Sequence, residues 1–284
     1  MGRRVGAFAW ALTATAWSSA VTWFTLGGTV LYTVMTCLST NAELGIHNLQ
    51  LQALETGLYV FNDSFFLTYG LLFCYAISVS VLLHPGDNEI FLSTRMRSRV
   101  EVWLGRVTAL LLQSIIFLGV VWLAWLFMTV ASHPISAGWS AAYDSILSVV
   151  HRTPDGLPPV YYLAADEYFR ATSTPLGLVA VQSALFVLVY WTVGIFAAVL
   201  AQGIRRRVLA TFSLVTYVFS YVVLLAMDQP GLTVITAQSP LLLSTHVPRT
   251  DPYLSYPMSF AIWAVLLLVL LAIGTAQLRQ IRLG

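Results

Sequence analysis

STRMRSRVEVWLGRVTALLLQSIIFLGVVWLAWLFMTV, residues 93–130, carries four arginines in its first fourteen positions and no charged residue in its last twenty-four. An uncharged run of that length exceeds the roughly 20 apolar residues that cross a bilayer as a helix. The arginines end where the run begins, the pattern of a span entered from its positively charged side.

Outward from this stretch the composition is of one kind. The 284 residues are 58% hydrophobic and 9% charged, and mean hydropathy is +0.79, whereas soluble domains are about a quarter charged. The reading is an all-α integral membrane protein. Six apolar intervals approach spanning length, at about 18–38, 64–83, 107–130, 177–201, 208–227 and 258–277, and form a single transmembrane domain over residues 1–284. The first apolar run begins at Val5; continued to residue 38 as a straight helix it would reach about 50 Å, too long for one span. A short interfacial helix behind Arg3 and Arg4, turning into a span near Ala20, is expected. Ser18-Ser19-Ala20 also resembles a signal-peptide cleavage site, but the apolar run continues past it.

With six spans both termini lie on one side, so the charges sort by loop. One set holds Arg3, Arg4, Arg95, Arg97, Arg99, Arg106, Arg205, Arg206, Arg207, Arg279 and Arg282 against Asp87, Glu89 and Glu101. The other holds three arginines against nine acids, among them Glu43, Glu55, Asp63 and Glu167. By the positive-inside rule the first set and both termini are cytoplasmic, and the protein is a multi-pass component of a cell membrane, expected to be bacterial and plasma-membrane located. The longer loops on the other side, including 131–176, contain proline and aromatic clusters that suggest partly ordered caps.

All fourteen basic residues are arginine. Without lysine there is neither a Walker A phosphate loop nor a Schiff-base lysine, so the chain carries no ATPase site of that type. HExxH and GxSxG are also missing, and the five histidines fall in loops without metal spacing. No catalytic residue, bound cofactor, metal or nucleic-acid partner is expected. Cys37 and Cys74 read as buried apolar residues rather than a redox pair.

Polar groups inside the spans are few. Gln113-Ser114 and Gln182-Ser183 sit in similar frames, but on helices of opposite direction, and read chiefly as interhelical hydrogen bonds. Asp63 reads as an interfacial carboxylate at a helix N-terminus. The alternative for Gln113, Gln182 and Asp63 is a polar substrate path.

His84-Pro85-Gly86 stops the second span. Asp87 and Glu89 then fit the N-terminus of a short helix continuing through Ile90 and Phe91, followed by Arg95, Arg97 and Arg99, with Trp103 at the headgroup level. The arginines alone serve topology and lipid contact; the acidic-apolar segment before them fits a docking helix. Glu89, Ser98-Arg99 and Leu104-Gly105-Arg106 resemble the loop between spans two and three of ABC-2-type transporter permeases. Six spans, inside termini, an interfacial N-terminal helix and SPLLLS before the last span are similar too. The long loop between spans three and four departs from that family. The resemblance implies a permease subunit that pairs with a second or homologous permease and docks on a separate ABC ATPase subunit. ATP and Mg would be bound on that partner. The coupling segment would comprise Asp87, Glu89, Ile90, Phe91, Arg95, Arg97 and Arg99, and mostly apolar spans suit export of an amphipathic or lipid-like cargo such as a peptide, lipid or drug. The alternative is a stand-alone membrane protein, either an immunity or sensor subunit or a secondary transporter.

Overall fold

The computed structural model describes residues 2–46, 50–83, 96–136, 138–143, 167–204, 207–227, 230–246, 248 and 254–280. Among the described residues every regular element is helical. In chain order these are α1 (Gly2–Trp17), α2 (Ala20–Ile46), α3 (Ala53–Val60), α4 (Phe66–Leu82), α5 (Arg99–Val130), α6 (Glu167–Thr172), α7 (Pro175–Gly203), α8 (Arg207–Ala226) and α9 (Tyr256–Gln280). Three 3₁₀ turns, Pro230–Ile235, Ser239–Leu241 and Leu243–His246, join α8 toward α9.

Local chemistry sets the helix ends. The long uncharged N-terminal run breaks at Ser18, whose hydroxyl donates to the Thr15 carbonyl at 2.7 Å. Thr174 caps α7 by accepting from the Gly177 amide at 3.1 Å, with Pro175 in the first turn, where its missing N–H costs no hydrogen bond. Asp63 Oδ1 accepts from the amides of Phe65 and Phe66 at 2.8 and 3.2 Å, closing the start of α4. The first half of α4, Phe66–Phe73, is wound as a π-helix and the second, Cys74–Leu82, as an α-helix.

Helix α7 is central, packing against α9, α5, α8, α3 and α4. α5 is flanked by α1, α2 and α7. Phe8 of α1 packs on Gly105 of α5, and Trp17 reaches Gln113, so α1 runs beside the first half of α5 in the same direction, and not across it as the expected interfacial helix would. On α2, Thr25, Thr29 and Thr33 each donate to the carbonyl four residues earlier. Their hydroxyls are thereby satisfied in a buried stripe, and their small volume allows neighbouring helices to approach.

Four helices, α2, α5, α7 and α9, are long and apolar enough to cross a membrane. The two remaining apolar helices are shorter, Phe66–Leu82 and Thr211–Leu224. Large apolar side chains cover the outside: Phe24 and Leu31 on α2, Leu123 and Phe127 on α5, Phe212 on α8, and Val265 and Leu268 on α9. Such a surface is stable against hydrocarbon and not against water, so the protein is membrane-embedded.

Candidate coupling base and buried polar layer

The helix contacts gather charge at two ends. Arg4 lies one turn before Phe8, which meets Gly105 of α5. At the same end Gly274 of α9 meets Trp103, and Gly203 of α7 meets Gln277. The beginnings of α1, α5 and α8 and the ends of α7 and α9 therefore share one end, which carries Arg3, Arg4, Arg97, Arg99, Arg106, Arg207 and Arg279. Toward the other end Gly57 meets Trp125, and the layer there includes Glu55 and Asp63.

At the arginine-rich end, Ser98 caps α5. Its hydroxyl oxygen accepts from the Glu101 amide at 3.2 Å, while Glu101 Oε2 accepts from the Arg97 amide at 2.9 Å. This reciprocal pair is a capping box shifted by one residue, with the acid beside the positive pole of the helix. Glu101 is buried, whereas Arg97 and Arg99 point into the open. Trp103 is 2% exposed, packed where a side chain on Gly274 would stand. Its indole fits there because glycine leaves room beside the α9 backbone. Of the coupling segment, Arg97 and Arg99 fall on this capped base; Asp87, Glu89, Ile90, Phe91 and Arg95 lie outside the described residues.

Midway along α5, Gln113 is fully buried. Its Oε1 accepts from Trp17 Nε1 at 2.8 Å, and its Nε2 donates to Ser78 Oγ at 3.4 Å. Three helices, α1, α4 and α5, thus meet on one amide. Adjacent Ser114 hydrogen-bonds Tyr75 of α4 at 2.7 Å.

A second polar layer lies toward the acidic end. Gln182 Nε2 donates to the Leu241 carbonyl, and Gln182 Oε1 accepts from the Tyr256 hydroxyl at 3.2 Å. Tyr256 stacks on His246 with centroids 3.9 Å apart and planes 20° apart. His246 Nε2 lies 3.0 Å from the Pro240 carbonyl, and Nδ1 faces the Leu254 carbonyl. Burial is the main influence on His246 and lowers its pKa, against the opposing pull of the two carbonyls. Asn62 Oδ1 accepts from the Leu243 amide at 2.8 Å, and Gln238 Nε2 donates to the Val218 carbonyl. The 3₁₀ segment before α9 is therefore fastened by side chains from α4's approach, α7 and α9.

The same end holds a carboxylate that sequence reasoning placed among the loop acids. Glu55, 0% exposed, accepts from the Ser140 amide and hydroxyl, both at 2.6 Å, and from the Gln52 amide at 3.0 Å. It fastens residues following α5 onto α3, every residue of which is buried. His133 adds a second tie, with Nδ1 2.8 Å from the Leu51 carbonyl and Nε2 3.1 Å from Asn41 Oδ1. Asp63 is half-buried and engaged with its own helix start. The structure thus brings Gln113 and Gln182 into separate interhelical joints, and Asp63 into neither.

No protein family, curated protein or solved structure matches the chain. The fold and its surface define a helical, membrane-embedded protein.

Proposed function

We propose that this chain is the permease subunit of an ABC transporter, with six spans, both termini in the cytoplasm and ATP hydrolysis on a separate subunit. Two copies, or this chain and a homologous permease, would form the translocating unit. The observation that carries this reading is the capped base of α5. A push on the arginine segment reaches Ser98 and Glu101, which are hydrogen-bonded into the first turn of a 32-residue helix. That helix is packed to α1 through Gly105 and to α9 through Trp103, so force applied at the loop moves three helices together rather than melting one end.

Charge supports the orientation, since the arginine-rich end matches the cytoplasmic side under the positive-inside rule. α5 would span about 48 Å at 1.5 Å per residue, well beyond a hydrocarbon core of about 30 Å. The excess allows Arg99 and Arg106 to stand in the headgroups and the preceding loop to reach a soluble partner. The lack of lysine agrees with ATP chemistry residing elsewhere. Cargo of amphipathic or lipid-like character fits spans whose buried polar groups are mainly neutral amides and hydroxyls.

Co-expression with an ABC ATPase subunit, purification and measurement of hydrolysis test the reading. Reversing the charges of Asp87, Glu89, Arg95 and Arg99 together is expected to abolish subunit assembly or uncouple ATP turnover from transport. Normal assembly and transport in that variant, or full activity without an ATPase, would overturn it.

A further inference from the structure

A cavity of about 320 Å³ lies between α7, α8, α9 and the 3₁₀ turn Pro230–Ile235. Val193 and Phe196 of α7 form one wall, and Ile262, Trp263 and Leu266 of α9 another. Its two hydroxyls have their protons committed to carbonyls. Thr192 donates to Leu188 at 2.7 Å, and Tyr217 donates to Ile235 at 3.1 Å. The second bond also holds the 3₁₀ turn against α8 and so gives the cavity a fixed rim.

Water in such a space would find too few hydrogen-bond partners, since a buried water needs two to four polar neighbours. The rim residue Ile235 is 69% exposed, and neighbouring helix faces are covered by apolar side chains of the membrane-facing surface. The material meeting this opening in a bilayer is hydrocarbon, and the volume lies in the range of small-molecule pockets. We propose that the cavity is a binding site for one acyl chain of a bilayer phospholipid. The chain enters past Ile235 and lies between α7 and α9, its methylenes against Trp263 and Leu266. This inference needs only that the protein lies in a bilayer and is independent of the permease reading.

The test uses the full chain in nanodiscs of phosphatidylcholine containing a small fraction of lipid with a diazirine near one acyl terminus. After illumination, adducts are mapped by peptide mass spectrometry. Adducts are expected to concentrate on Val193, Phe196, Ile262, Trp263 and Leu266, severalfold above those on Phe24 and Leu31 of the outward face of α2. Leu266→Trp, which fills the space, is expected to lower the pocket adducts about tenfold and leave those on α2 unchanged. The wild-type comparison between pocket and α2 decides the matter even if Leu266→Trp fails to fold. Equal labelling of both places identifies ordinary surrounding lipid and overturns the proposal. Absence of lipid adducts from the pocket residues while α2 is labelled overturns it also.

Discussion

Glu55 is a carboxylate with no exposed surface, held by the amide and hydroxyl of Ser140 and the amide of Gln52. Glu55→Gln replaces one acceptor oxygen by a donor facing donors, at a cost of about 2 kcal/mol. A lower melting temperature in detergent and faster proteolysis at residues 132–143 are the expected readouts. His246 yields a prediction with pH. Its pKa is lowered by burial, so its contribution to stability is complete above the ordinary histidine value of about 6.5 and is lost as pH falls below it. Melting temperature should therefore drop as pH falls below about 6.5, and His246→Gln should flatten that part of the profile. These two residues differ in how far sequence exposes them. Gln52 and Glu55 have capping-box spacing that could have identified a helix start in the segment after the first apolar interval. For His246 there is no local signal, because its partners are backbone carbonyls whose positions depend on the tertiary path of the 3₁₀ turns.

Helices α5 and α9 illustrate how ends and contacts govern an element. Ser98→Ala removes the oxygen that caps α5, costing about 1 kcal/mol. Hydrogen exchange at the amides of Glu101 and Arg97 should accelerate about fivefold, with little change at the middle of the helix. Gly274→Leu places a side chain where Trp103 packs, and overpacking of this type costs about 1–3 kcal/mol. Thermal unfolding in detergent should register that loss. The positions of α5, α7 and α9 were legible because long uncharged runs have few alternatives to a membrane helix. The Ser98-x-x-Glu101 spacing could also have marked the start of α5, ahead of the apolar run from which the span was read. The π winding of Phe66–Phe73 was not legible, since hydropathy is the same for π and α turns. Nor was the burial of α3: an eight-residue segment bearing an acid reads as a connection unless the contacts of Trp125 and Ser140 are known.

For the whole molecule, charge asymmetry was readable from arginine positions, but the depth of each apolar helix was not. Of the two shorter apolar helices, Phe66–Leu82 packs on α2, α7 and α8, and Thr211–Leu224 on α7, α4 and the 3₁₀ turn Pro230–Ile235, and this packing is a tertiary property. The six-span reading predicts that single cysteines placed at Ser93 and Arg206 react with membrane-impermeant thiol reagents only after the inner face is opened. A cysteine at Ser148 is expected to react from outside in intact cells. Reaction of all three from the same side would contradict that topology. The seat of Trp103 beside Gly274 also bears on biogenesis. α9 emerges from the ribosome long after α5, so every nascent chain passes through a stage in which the indole has lipid or a chaperone where its permanent neighbour will be. Completion of the interior must therefore await the arrival of the final helix in the bilayer.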